Sequence, residues 1–194
     1  IFLSFQIYLD FTGYTDMALG AAQLFGIRLT PNFKRPYLSE NIVEFWNRWH
    51  LSFSTWLRDY LFFPLRRYFV RLTGKSTGLL ALVIPPLIAM LASGIWHGVG
   101  WTFVLWGLYH AIFYMGVVWF KNRRGIPSGK PAWQKWLYIA LNFIIITLGW
   151  ILFRSESISQ AWLIFKSLFS INLSVADFME RLFSIDYLLS RGFL

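Results

Sequence analysis

Apolar and polar positions fall into long blocks along this chain, and the longest block frames the others. No Asp, Glu, Lys or Arg occurs from Ser76 to Phe120. Wound as α-helix at ~1.5 Å per residue, that run reaches ~67 Å, about twice the hydrocarbon core of a bilayer, so it folds back at least once. Both flanks are basic and free of acids: Arg66, Arg67, Arg71 and Lys75 read as a basic loop before it, and Lys121, Arg123, Arg124, Lys130 and Lys135 follow it. A doubled apolar segment with cationic ends predicts a helical hairpin, its ends cytoplasmic and its turn on the far side. Pro85-Pro86 and Gly98-Val99-Gly100 interrupt the run and are where a re-entrant bend is expected. Gly94 and Gly98 form a small-x-x-x-small pair that admits a neighbouring helix at close range.

The flanking segments are less uniform. Ile1 to Ile27 is apolar but holds Asp10 and Asp16 around Thr12, Gly13 and Thr15. These residues predict either a loosened helix beside a wet cavity or a surface loop with the two acids as caps. Arg28 to Tyr37, with Pro31 and Pro36, reads as a loop. From Asn41 to Phe63 a 3.6-residue period puts Ile42, Phe45, Trp46, Trp49, Phe53, Trp56, Leu57 and Tyr60 on one face, with Glu44, Asn47, Arg48, Thr55 and Asp59 largely opposite. That pattern predicts one amphipathic helix, N-capped by Asn41 and supported by a Glu44/Arg48 pair. Lys135 to Arg154 predicts a further crossing anchored by Trp133, Trp136, Tyr138 and Trp150. Ser155 to Ser159 reads as a turn or helix start, Ala161 to Phe169 as a short surface helix, and Phe183 to Leu194 as the beginning of another crossing.

Composition agrees with a membrane solvent: 57% of residues are hydrophobic and 14% charged, against roughly 25% charged in soluble domains. The 194 residues suffice for about five or six crossings. The expected architecture is a single all-α, polytopic membrane domain over residues 1–194, taken as the C-terminal portion of a longer protein. There is no cysteine, which removes disulfides, thiolate nucleophiles and cysteine metal sites. The formal charge of +9 sits in short runs between apolar segments, so anionic lipid and cytoplasmic loops account for it without nucleic acid.

Candidate chemistry centres on histidine. His97, in Gly94-Ile95-Trp96-His97-Gly98, lies inside the uncharged run, where an ionisable group is read as part of a site. His50 projects to the edge of the amphipathic stripe beside Trp46 and Ser54, and His110 is a weaker candidate, a helix-packing donor. No Gly-x-Ser-x-Gly elbow, phosphate loop or His-Glu-x-x-His pair occurs, which removes the usual supports of hydrolase, nucleotide-driven and zinc-protease chemistry. Acyl transfer with an imidazole base, bis-histidine haem ligation, and transport without chemistry all remain open. So does a histidine that merely bonds backbone at a tight turn.

Glu44-Phe45-Trp46-Asn47-Arg48-Trp49-His50-Leu51-Ser52, Trp56-Leu57-Arg58-Asp59-Tyr60 and Gly94-Ile95-Trp96-His97-Gly98, in that order, resemble the membrane-bound O-acyltransferases. Within them the likeness is to the bacterial branch of alginate O-acetylation and teichoic-acid D-alanylation. Phe5 to Ala18, Pro31-Asn32-Phe33 and Pro36-Tyr37 add to the alginate-type side. The resemblance is close from Ile1 to about Met115 and rests on hydropathy beyond. It implies a ring of membrane helices with amphipathic and re-entrant pieces around a thinned chamber in the bacterial inner membrane. It also implies His97 as principal catalytic residue and His50 as assistant, with Asn47, Trp49, Arg58, Asp59 and Trp96 as weaker tunnel candidates. No bound cofactor or metal is implied. The donor is an acyl thioester, acetyl-CoA or an acyl carrier protein, arriving from the cytoplasm, and the acceptor is an extracytoplasmic polysaccharide or partner protein. Arg66-Arg67 stands where many alginate-type relatives have Gly-Gly, a difference bearing on which carrier or polymer is served.

Overall fold

The computed structural model describes residues 1–124 and 131–169, and every regular element among them is helical. Helix α1 runs unbroken from Phe2 to Leu24. The expected loosening around Gly13 does not occur, nor does a surface loop: a lone glycine costs a helix interior only about 1 kcal/mol, less than giving up a turn. Asp10 and Asp16 are exposed along α1 and cap nothing. Gly26, at φ 73°, closes the helix, with its N–H and that of Ile27 returning to Gln23 and Ala22 carbonyls.

Residues 41–63 depart most from the pattern. Asn41 does cap, its Oδ1 accepting the Glu44 N–H at 3.1 Å, and Glu44 and Arg48 form the expected ion pair. The helix then stops. Element α2 covers Ile42–Trp46 and α3 covers Leu51–Leu57, separated by a turn in which His50 is left-handed at φ 45°. A π-helical turn over Arg58–Phe62 leads into α4, Phe63–Thr73. Pro64 supplies the cause: it has no N–H to give four residues back, and the Phe63 N–H reaches the Arg58 carbonyl five residues back, as π-turns do. With the register broken, the single apolar face divides. Ile42, Phe45, Trp46, Trp49 and Leu57 are buried, whereas Trp56 and Tyr60 are exposed. Arg66, Arg67 and Arg71, expected in a loop, lie on α4, which Gly74 ends at φ 65°.

The uncharged run forms the expected hairpin. Helix α5 spans Leu79–His97 and α6 spans Trp101–Arg124, joined at Gly98–Gly100. Pro85 and Pro86 lie buried inside a continuous α5, so no re-entrant break occurs there. Gly94 admits a close neighbour, and that neighbour is α6. A Cβ at Gly94 would stand 2.3 Å from the Phe103 carbonyl oxygen, and one at Gly107 would stand 2.4 Å from that of Met90. Gly98 instead faces the Phe103 ring.

Helix α7, Ala132–Arg154, and the short α8, Ile158–Phe169, follow. Three helices among the described residues are long and apolar enough to cross a membrane: Leu79–His97, Trp101–Arg123 and Ala132–Arg154. The chain is long enough for more, but α2, α3 and α4, at 5, 7 and 11 residues, are too short to cross. Trp133, Trp136 and Tyr138 are exposed as interfacial anchors are, but Trp150, at 2% exposure, is core. The expected crossing from Phe183 to Leu194 lies outside the described residues.

The core joins α2, α5, α6 and α7 through Ile42, Phe45, Trp46, Met90, Trp106, Ile146 and Trp150. Polar pins fix α1 and α7 to the turn at Pro36–Leu38. The Tyr37 hydroxyl donates to the Ser4 carbonyl at 2.6 Å and accepts from Trp150 Nε1 at 3.2 Å. Asn142 Nδ2 donates to the Ser39 carbonyl at 3.0 Å and hydroxyl at 2.9 Å. Buried polar groups need such partners, and here they position the segment that carries His50.

Candidate active site

His97 is the last residue of α5. Its ring lies edge-on to Trp96 at 4.8 Å, Phe153 at 4.9 Å and Trp106 at 5.3 Å. It makes no hydrogen bond to backbone among the described residues, so the bland reading of a turn histidine satisfied by main chain does not hold. His50, in the turn that opens α3, packs on Phe11 at 4.7 Å and Phe53 at 5.1 Å. Phe53 and Trp96, 4.5 Å apart, each touch both imidazoles: Phe53 lies 6.1 Å from His97, and Trp96 lies 6.3 Å from His50. Two histidines 47 positions apart in sequence thus flank one aromatic pair, Phe53 and Trp96.

The main chain around His50 is strained and held. A non-glycine residue at positive φ costs of order 1–3 kcal/mol and persists only where its surroundings impose it. Here a backbone clamp does so: Lys34 N–H donates to the Arg48 carbonyl and Leu51 N–H to the Asn32 carbonyl, both at 2.9 Å. Ser54 closes the turn, its hydroxyl donating to the Trp49 carbonyl at 2.8 Å. Burial pushes the His50 imidazolium down to about 4, so the ring is neutral near pH 7 and has a lone pair to offer.

Of the expected tunnel residues, Asn47 and Arg58 line a cavity of about 330 Å³ together with Trp46, Phe62, Arg66, Pro86, Met90 and Tyr114. Neither histidine lines it. Arg58 also binds Asp59, Nε to Oδ1 at 2.9 Å; that hydrogen bond holds the Asp59 carboxyl below its ordinary range. Trp96 belongs to the histidine chamber instead. Trp49 lies elsewhere, 4% exposed and packed on Phe33, Trp150 and Phe45 at 4.9 to 5.4 Å. It is a core residue bordering the site.

His110 is wholly enclosed, with Trp106 at 4.7 Å and Trp46 at 5.3 Å. Neither of its ring nitrogens has a hydrogen-bond partner among the described residues, so it is not the packing donor expected. Asn32, which sequence reasoning treated as part of a loop, bonds the His50 turn directly. Its signals in the sequence are its place between two prolines in a polar loop and its position inside the Pro31-Asn32-Phe33 motif. No group of three His, Cys, Asp or Glu is arranged to hold a metal among the described residues.

The fold is that of a polytopic helical membrane protein in which two histidines flank one aromatic pair. Residues 1–159 match the membrane-bound O-acyltransferase family, and the chain belongs to it. It is 38% identical over 167 residues to a probable alginate O-acetylase of Azotobacter vinelandii, covering 85% of this chain and 31% of that protein. A peptidoglycan O-acetyltransferase of Helicobacter pylori is 37% identical over 170 residues, 87% of this chain and 30% of that one. A teichoic acid D-alanyltransferase of Bacillus subtilis is 32% identical over 157 residues, covering 79% and 39%. The chain therefore spans about a third of the length of the curated relatives it matches.

Proposed function

We propose that the full-length protein is a histidine-dependent O-acyltransferase of the bacterial inner membrane. It moves an acetyl or similar short acyl group from a cytoplasmic thioester, on coenzyme A or an acyl carrier protein, to a hydroxyl on an extracytoplasmic polysaccharide or partner protein. The observation that carries this reading is the convergence of His50 and His97 on Phe53 and Trp96. A neutral imidazole in a mostly apolar chamber is suited to take a proton that water would otherwise compete for. As the acceptor oxygen bonds to the acyl carbon, its proton passes to His97. The C–S bond then breaks, and the departing thiolate takes the proton back. His50 assists by orienting the acceptor.

The cavity supports the direction of supply. It follows the first half of α5 and the second half of α6, the end of the hairpin with basic flanks, and carries Arg58 and Arg66 in its wall. It reaches Trp46, which packs 5.8 Å from Trp106, itself 5.3 Å from His97. An acyl arm lying there, past Asn47 and Arg58, points toward the histidines from the cationic, cytoplasmic side. In the full-length protein, His97→Ala should insert into the membrane normally and lose polymer acylation, measured by mass spectrometry of envelope polysaccharide. Unchanged acylation refutes the mechanism, and ligand movement into vesicles without an acylated product establishes transport in its place.

A further inference from the structure

Asn32 Oδ1 gathers three contacts from the turn that carries His50. Ser52 Oγ donates to it at 2.7 Å and Ser52 N–H at 3.2 Å, while His50 Nδ1 stands 3.4 Å away. The amide is oriented without ambiguity. A backbone N–H can only donate, so the atom it meets is the oxygen, and the other end of the amide, Nδ2, donates to Thr15 Oγ1 at 3.4 Å. The second polar neighbour of His50 Nδ1 is Ser52 Oγ at 3.5 Å. That hydroxyl has already given its proton to Asn32, so toward the imidazole it shows a lone pair. Both groups facing Nδ1 are acceptors, and a bare Nδ1 would meet them with like partial charge. An imidazole has one nitrogen of each kind when neutral, and the bond made by one sets the role of the other.

We infer that Asn32 is a positioning residue that holds His50 as the Nδ1–H tautomer and so leaves the lone pair on Nε2. The chain reads from α1 through Thr15 to Asn32 to His50, linking three separate segments in one polar line. This deepens the acyl-transfer reading and rests on it for its kinetic consequence: an acceptor hydroxyl is oriented by Nε2 and by no other atom of that ring. Among the described residues no carboxylate is hydrogen-bonded or ion-paired to His50, and His97 is the titratable group across Phe53 and Trp96 from it.

The test uses the full-length protein in detergent or nanodiscs. Nitrogen-15 spectra of histidine-labelled protein, with His50 assigned by its loss in His50→Gln, should show a protonated Nδ1 and a bare Nε2 at neutral pH. The opposite tautomer, or an even mixture, overturns the inference whatever the protein catalyses. In the acylation assay Asn32→Leu should lower kcat about tenfold or more with little change in KM, as loss of a correct tautomer does. Asn32→Asp keeps an acceptor and adds a charge that favours imidazolium. It should work within about threefold of wild type at alkaline pH, with its acid limb moved up by at least about one unit. Ser52→Ala removes one of the two acceptors and leaves the Asn32 amide, so its nitrogen-15 spectrum should still show a protonated Nδ1 on His50; a bare Nδ1 there overturns the role given to Asn32. An unmoved acid limb in Asn32→Asp, or full activity in Asn32→Leu, overturns the assignment. Should wild type show no acylation at all, the transfer reading fails, while the spectra still decide the tautomer.

Discussion

Replacing Gly107 by alanine tests the packing that brings His97 to its chamber. The new methyl carbon would fall 2.4 Å from the Met90 carbonyl oxygen and 3.2 Å from Leu91 Cα, where ordinary contact begins near 3.4 Å. These are backbone atoms, so no side-chain rotation relieves the clash and α5 must part from α6 by about 1 Å. Overpacking of this kind costs about 1–3 kcal/mol, and a gap opened elsewhere along the pair gives up a quarter to a half of the attraction across it. His97 travels with α5 while Trp106 stays on α6. A displacement of about 1 Å at a reacting group can lower a rate about a hundredfold. The measurements are a detergent melting curve and polymer acylation by the full-length variant. Gly116 on the same helix is the control: nothing lies within 4 Å of a Cβ there, and alanine favours helix by about 1 kcal/mol. Gly107→Ala should melt lower and lose most activity, whereas Gly116→Ala should melt as wild type or higher. Equal behaviour of the two would refute the claim that α5 and α6 meet backbone to backbone.

Two further outcomes follow from the polar groups around the site. Tyr37→Phe leaves Trp150 Nε1 without its acceptor and removes a second donor from the Ser4 carbonyl, which keeps its place in the α1 hydrogen-bond ladder; at about 1–3 kcal/mol for a buried unsatisfied group, the melting midpoint should fall, while Tyr68→Phe, at an exposed tyrosine, should not move it. For His50, the folded pKa of about 4 lies below the ordinary value near 6.5, so between these limits the unfolded chain binds the extra proton. Stability therefore declines as pH falls from about 6.5 toward 4 and is insensitive to this group above that window; His50→Gln should flatten this part of the stability–pH curve, and an unchanged slope would show that His50 is not desolvated in the fold.

Elements governed by hydropathy were legible in the sequence. The uncharged run had to double back, and its glycines and basic flanks located the turn; α7 followed from the same reasoning. Residues 41–63 were misread because periodicity reports only which positions are apolar. Ile42 to Tyr60 keep a helical repeat even though the chain turns at Asn47–His50 and again, through a π-turn, before Pro64. The proline was a visible warning for the second break. Nothing in the letters marks a left-handed histidine, since His50 is forced there by the clamp from residues 32–34 and not by its own preference. Trp150 was misassigned for a related reason: an aromatic near a span end is the same letter whether it meets lipid or, as here, a tyrosine hydroxyl.

The same distinction explains how much of the site could be read. His97 declared itself because an ionisable group in a long uncharged run has few cheap explanations, and His50 because the surrounding motifs resembled those of a family. What makes the two histidines one chamber is Phe53 and Trp96, each in reach of both rings, and that relation exists only after α3 and the end of α5 are brought together. Asn32 is the sharper case. In sequence it is a polar residue in a proline-flanked loop, where a turn role is expected. Its consequence for chemistry arises from direction alone: one backbone N–H fixes the amide, the amide fixes which imidazole nitrogen holds the proton, and the proton's position decides what His50 can offer a substrate. Composition and spacing carry no record of direction, so a residue that acts only by orienting another is found by following hydrogen bonds outward from a strained one.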